Sequence, residues 1–428
     1  MGWFNLLSKL KQAWKIKDVR TKILYTLMMI IVFRIGATIP VPGVDTKLIG
    51  DMVGDNSLLS LYNMFTGGAF SNFTLFALGI GPAITASIII QLLTIGFESL
   101  EELQKSGEEG KKKINKYTKY TALVLAILQS SAITIGIVRS AFADPNNPFY
   151  IGTVIMTLVA SSMLLMWIGD KITEKGLGNG SSILIFVGII SGIPKDITVI
   201  SSMLQDGSLS IIAFVLLSIV IFLTIMAVTY IQEATRKIPV QYAKRVVGRK
   251  LYGGQSSHIP MKVNQSGVMP VIFATSLLAF PQTVAMFMGA DAQAFVQKYL
   301  NPMQSPGVWI YRTLELILIV FFAYFYTTVS FNTEDVANNM KNNGGFIPGI
   351  RPGQNTIDYL NKILSRLTLA GALFLASVVM ISAIVAYFME IQISLAGTSL
   401  LIVVGVALEL KRQLESNLVM RTYQGFLK

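Results

Sequence analysis

Residue types that carry enzymatic chemistry are scarce in this chain of 428 residues. Cysteine is absent and there is a single histidine, His258, in a polar loop. A disulfide framework and a thiolate metal site are therefore excluded, and a Ser-His-Asp hydrolase or metal-dependent enzyme has almost nothing to build with. No GxxxxGK[ST] phosphate loop occurs. The apolar stretches hold neither a Ser-His pair nor paired aspartates for an intramembrane protease, although carboxylate chemistry as such is not excluded by the counts. The residues whose type and spacing suit a physical task are branched aliphatics beside glycine and proline: Ile80 and Ile84, Ile185, and Ile272. A ring of such side chains can form a constriction that closes by dewetting. Packed or lipid-facing aliphatics have the same composition, so at this point the pore is one reading among several.

The elements that must hold these residues are themselves apolar. Hydrophobic residues make up 53% of the chain and charged ones 14%, far from a soluble domain. Apolar runs lie near 22–39, 75–96, 117–138, 151–169, 181–194, 209–231, 267–289, 308–330, 366–388 and 395–410, which predicts ten spans with the fifth and last rather short. The first run lacks a small-residue cleavage site, so it is expected to stay in the chain. Of the 35 lysines and arginines, 29 fall in the N-terminal segment, in 97–119, 171–175, 232–262 and 331–366, and in the C-terminal segment. That bias predicts both termini on the inner side. Trp3, Leu6, Leu7, Leu10 and Trp14 share one side of 3–17, as in an amphipathic helix lying in the inner interface. Five spans per half would invert the second half relative to the first, an arrangement that puts a functional path between the halves. The expected units are 1–19, 20–194, an external hinge loop 195–207, 208–411, and a tail 412–428.

Two features interrupt this plan. In SLLSLYNMF, Leu58, Leu61, Tyr62 and Phe65 have helical spacing and the pattern stops at Gly67-Gly68. About ten helical residues reach about 15 Å, half of a hydrocarbon core. Each half also has a broken span near its start, with Pro82 in the first and Pro270 in the second. Between spans, 236–263 reads as a β-hairpin in which Val240 and Tyr242 alternate with polar neighbours and the chain turns near Gly248, with Lys244, Arg245, Arg249 and Lys250 around its tip. The loop NNGGFIPGIRPG is rich in glycine and proline and carries one arginine, Arg351. Span centres are nearly free of carboxylates: Asp170, Glu233 and Glu409 sit at span ends, Glu315 lies toward the outer end of its span, and Glu390 lies beyond one. Proton or sodium coupling is therefore not expected. A secondary transporter of a small solute stays open as the alternative to a channel.

Several blocks resemble the SecY family, the channel subunit of the bacterial protein-translocation complex: IVFRIGATIPVPGVD (31–45), NMFTGGAFSNFTLFALGIGP (63–82), ITASIIIQLLT (84–94), LGNGSSILIF (177–186), GFIPGIRPG (345–353) and GTSLLIVVGVALE (397–409). The resemblance covers essentially the whole chain in order. It implies an all-α membrane protein of ten transmembrane helices in two inverted five-helix halves, with a plug half-helix over about 57–74 and a cytoplasmic β-hairpin loop. It places a pore ring at Ile80, Ile84, Ile185, Ile272 and Ile402, with Ser181 departing from the aliphatic pattern usual in such a ring. Tyr62, Phe65, Gly67, Gly68 and Phe70 fall in the plug. Gln91 and Asn264 match polar positions at a lateral gate between the second and third spans and the seventh and eighth. Lys244, Arg245 and Arg351 match loops on which a SecA motor ATPase or the ribosome, through its RNA, docks. Further implied partners are SecE-like and SecG-like membrane subunits, signal peptides, unfolded preproteins and the lipid bilayer of a bacterial cell membrane. No enzymatic activity, cofactor or metal is implied.

Overall fold

Every backbone N–H and C=O at membrane depth needs a partner from the protein itself, and a helix supplies its own. The apolar runs fold accordingly. The computed structural model describes residues 14–55, 63, 66–142, 147–242, 245–247, 250–252, 256–302, 306–389 and 397–426. The first half comprises α1 (Lys17–Gly36), α2 (Thr46–Asp55), α3 (Gly81–Gly96), α4 (Glu98–Lys105), α5 (Glu108–Gly136), α6 (Pro148–Lys175) and α7 (Gly180–Gln205). The second comprises α8 (Ile211–Glu233), β1 (Thr235–Tyr242), β2 (Arg245–Val247), β3 (Lys250–Tyr252), β4 (Ser256–Lys262), α9 (Met269–Met288), α10 (Ala290–Tyr299), α11 (Gly307–Ser330), α12 (Thr333–Asn342), β5 (Gly345–Phe346), α13 (Gln354–Met389) and α14 (Thr398–Phe426).

Among the described residues, seven helices are by themselves long and apolar enough to cross a membrane, and an eighth span results if α3 and α4, bent by 102°, are one unit. The other two expected spans are α1 and α14. Their apolar stretches are short: α1 carries Lys17, Arg20, Lys22 and Arg34, and α14 turns polar from Glu409 onward. Three expectations about boundaries change. Helix α7 runs through Pro194 to Gln205, so most of the loop expected at 195–207 is helical and the connection between halves shrinks to 206–210. The tail expected at 412–428 continues α14 as far as Phe426. Pro82 and Pro270 are not mid-span kinks; each sits in the first turn of its helix, where a proline costs no hydrogen bond because that N–H has no helical partner. Most of the amphipathic helix expected over 3–17 lies outside the described residues.

The expected second span, 75–96, is helical only from Gly81. Residues 66–80 instead form a run of turns. Turns cannot face lipid, because their polar groups would be unsatisfied, and these are enclosed: Phe70, Phe73, Phe76, Ala77 and Leu78 are all buried. Their backbone pairs with the segment after α1, through an isolated bridge between Pro40 and Thr74 and bonds from Val41 N–H to the Phe73 carbonyl (2.9 Å) and from Leu75 N–H to the Ile39 carbonyl (2.9 Å).

Beyond the ends of α8 and α13 the chain forms an antiparallel sheet of order β4-β1-β5. The expected hairpin is present: Ile238 opposes Ile259 in the β1–β4 register, and β2 pairs with β3 toward the tip. Sequence reading missed the third strand. Gln241 and Tyr242 pair with Phe346 and Gly345, so both polar loops belong to one sheet. Beneath it Ile238, Val240 and Met261 pack with Met340 of α12 and with Leu360, Ile363 and Leu364 of α13. Ile238→Ala should cost this small core about 2–5 kcal/mol. The expected outcome is faster amide hydrogen exchange in β1 and β5 with unchanged protection in the spans; unchanged exchange in the sheet would refute it.

Candidate functional site

The two halves meet at the isoleucines. Ile80 is the residue preceding α3, whose start is set by Gly81-Pro82, and Ile84 follows one turn later. Ile185 lies in the second turn of α7, whose start is capped by the Asn179 side chain accepting from Ser182 N–H. Ile272 lies in the first turns of α9, and Ile402 in those of α14. Ile80, Ile185, Ile272 and Ile402 are 8%, 4%, 4% and 0% exposed and belong to one apolar cluster; Ile84 is half-buried and packs against it. None points to the lipid-facing perimeter. Small residues permit the approach. A Cβ on Gly405 of α14 would lie 2.2 Å from Val268 Cγ1 at the start of α9, and the Ile80 side chain reaches Gly169 of α6.

Beside this cluster is a cavity of about 120 Å³, lined mainly by apolar side chains and bounded by α3 and α5 of one half and α9 and α11 of the other. Ile80, Ile84, Ile185 and Ile272 line it, as do Phe70, Gln129 and Tyr311; Ile402 does not, and sits behind it in the cluster. Gln129 and Tyr311 had no distinguishing signal in sequence, since one polar residue in an apolar run is uninformative. Aromatic rings brace the α9–α11 side: Phe273 meets Phe322 edge-on at 5.6 Å and Tyr326 at 6.3 Å. Glu315 is buried and paired with Arg312, at 2.7 Å, one turn away on α11. An intramembrane carboxylate is thus present but already matched by its own cation.

Gln91 and Asn264 do not form a polar pair. Gln91 donates to Ser87 Oγ at 3.1 Å on its own helix. Asn264 is buried, donates to the Gly267 carbonyl at 2.9 Å and accepts from Ser266 Oγ at 3.1 Å, so it closes the turn that leads into α9. A short amide satisfies neighbouring backbone before it reaches another helix. Of the expected plug residues, Tyr62 and Phe65 lie outside the described residues. Gly67 and Gly68 have φ of +67° and +84°, conformations that glycine adopts without strain. A Cβ on Gly67 would come within 2.7 Å of Gly188 Cα on α7, and the Gly67 carbonyl accepts from Ser191 Oγ at 3.3 Å. Phe70 stands edge-on to Phe73 in a second apolar cluster with Val41 and Ile49.

At the sheet end of the bundle, Lys244 lies outside the described residues, and Arg245 begins β2. Arg351 is exposed, and its side chain has no partner among the described residues. On β4, burial and then the charge of Arg412 hold the Lys262 ammonium below its usual pKa range.

Seven or eight membrane-length apolar helices, among the described residues, packed about a buried apolar cluster define a polytopic helical membrane protein. A model of the SecY family matches residues 74–411. A protein translocase subunit SecY from Halalkalibacterium halodurans is 43% identical over 432 residues, covering 98% of this chain and 99% of the relative. The chain belongs to the SecY family of protein translocase subunits. Among solved structures, one of a protein-conducting channel superimposes with a TM-score of 0.69 at 19% identity, covering 93% of this chain and 92% of the other. Sec61 in a canine ribosome-channel complex from the endoplasmic reticulum gives 0.65 at 17% identity, with the same coverage. The small-solute transporter finds no support in these matches. Ile272→Asn puts an amide in the waist, where it favours water. The expected outcome is a higher resting ion conductance across vesicles holding the variant, with Ile272→Leu close to wild type; equal conductance in all three would remove Ile272 from the seal.

Proposed function

We propose that this chain is the central pore-forming subunit of a Sec translocon, conducting unfolded secretory polypeptides across the membrane and releasing apolar segments sideways into lipid. The observation that carries this reading is the convergence of isoleucines from α3, α7, α9 and α14 on one buried cluster. Flexible apolar side chains can close around an extended chain of almost any sequence, whereas charged rings would retain some substrates and repel others. The cavity bounded by α3, α5, α9 and α11 fits a lateral exit, since separating those two pairs would open it to lipid. Residues 57–74 are assigned as the plug, within which Gly67 is seated against Gly188 of α7.

The sheet end is assigned to the cytoplasm, together with both termini, because most lysines and arginines gather in segments at that end. There Lys244, Arg245 and Arg351 serve as docking residues for a motor ATPase of the SecA type or for ribosomal RNA, whose phosphates a basic tip attracts in a salt-dependent manner. Arg351 presents a free guanidinium fork to acidic or carbonyl groups. This chain has no site for ATP hydrolysis in our reading, so the partner supplies the energy. SecE-like and SecG-like subunits complete the assembly in a bacterial cell membrane.

Reconstituted vesicles separate this reading from solute uptake: a polypeptide bearing a signal segment should become protease-protected only with the motor and ATP present. Uptake of a small solute by the chain alone, without polypeptide movement, would overturn the assignment. In the same assay Arg351→Glu should reduce motor-driven protection at least severalfold while extraction yield and oligomer profile stay at wild-type level. Undiminished protection would remove Arg351 from the docking surface.

A further inference from the structure

Three consecutive residues of α14 tie it to two different parts of the bundle. Lys411 pairs with Glu233 at 2.5 Å, and the Arg412 guanidinium donates to the Gln232 carbonyl, both at the end of α8. The Gln413 Oε1 accepts from Gly178 N–H in the turn between α6 and α7. The first two contacts stay within the second half. The third crosses to the first half, over a separation of 235 residues.

The turn that Gln413 reaches has no slack. Leu177 N–H donates to Thr26 Oγ1 at 3.0 Å, Gly180 N–H to Thr173 Oγ1 at 2.8 Å, and Ser182 N–H to Asn179 Oδ1 at 3.2 Å. A Cβ on Gly180 would stand 1.9 Å from the Gly169 carbonyl oxygen, so α6 and α7 touch backbone to backbone there. Gly178 has φ +77°, and a Cβ on it would lie 2.8 Å from Leu410 Cδ2 of α14. A rigid turn thus offers one N–H to α14 and leaves no room for a side chain between them. Further along, Leu418 of α14 packs on Val19 of α1, a second contact across the seam.

Position along α14 gives this contact its consequence. Gln413 is 11 residues after Ile402, about three helical turns, so the two side chains leave the same face of the helix. Whatever sets the rotation and height of Gln413 also sets those of Ile402. We propose that Gln413 is a positioning residue: through the Gly178 N–H it registers α14 against the first half, and so keeps Ile402 in the closed waist while the channel is idle. Lys411 and Arg412 bind α14 to its own half, so losing the Gln413 contact loosens the register of α14 against the first half, then held only by apolar packing, without detaching the helix. The inference rests on the channel reading above.

Gln413→Leu keeps the shape and removes the acceptor; Gln413→Glu keeps an acceptor. The test uses the full chain with its membrane partner subunits, in phosphatidylethanolamine and phosphatidylglycerol vesicles loaded with a chloride-sensitive dye. Loss of one hydrogen bond should raise resting chloride leak about fivefold in Gln413→Leu. Gln413→Glu should leak like wild type, and motor-driven translocation should persist in both. Equal leak in wild type and Gln413→Leu, or equal leak in the two variants, overturns the proposal. Should Gln413→Leu not assemble, Gln413→Met carries the same comparison. A wild type that seals but moves no polypeptide with motor and ATP would sink the channel reading instead.

Discussion

In the function proposed here, water must be excluded from the middle of a molecule that parts along that middle, and the buried isoleucine cluster is the contact assigned to this constraint. Apolar contact is non-directional and has no single partner to lose, so it can be broken and remade around a passing chain. A waist built from hydrogen-bonded pairs would leave buried polar groups unsatisfied each time it opened, at a cost of about 1–3 kcal/mol per group. Ile80 and Ile185 come from one half, and Ile272 and Ile402 from the other, so this apolar contact exists only while the halves are together.

The rest of the fold can be understood as support for that contact. Irregular backbone over 66–80 is tolerated at membrane depth because Phe70, Phe73 and Phe76 bury it within the first half. Glycines permit close approach inside each half, at Gly405 against the Val268 side chain in the second and at Gly180 against the Gly169 backbone in the first. Close approach through small residues suits helices in lipid, where burial of apolar area between helices offers little driving force. At the sheet end, β5 joins the second loop to the hairpin, and their common core rests on the start of α13. Load applied to either loop therefore reaches the same sheet.

How much of this was legible in the sequence depends on the kind of information each feature needs. Helical spans, the presence of the hairpin but not its register, and the isoleucines at 80, 84, 185, 272 and 402 were accessible, the last of these positions only through family resemblance. The extent of α7 was not, because Pro194 looks like a stop in sequence and is accommodated within the helix in the fold. The β1–β5 pairing was hidden because a two-residue strand carries no periodicity. Gln91 and Asn264 show the opposite failure: their polar character was visible, but each bonds to its own near neighbours, with Gln91 Oε1 left buried and unpartnered, and only geometry distinguishes a local contact from a link between helices.

Composition and order of residues alone settled that this chain crosses a membrane many times, by helices, because bilayer thickness and backbone hydrogen bonding leave no other way to place such long apolar runs. Tertiary structure decided which aliphatics face one another and which glycines lie under a neighbouring helix. It also decided that Gln413 meets Gly178 across the seam. Those facts depend on contacts between residues hundreds of positions apart, and an isoleucine reads the same in sequence whether it faces lipid, a packed core or the waist of a channel.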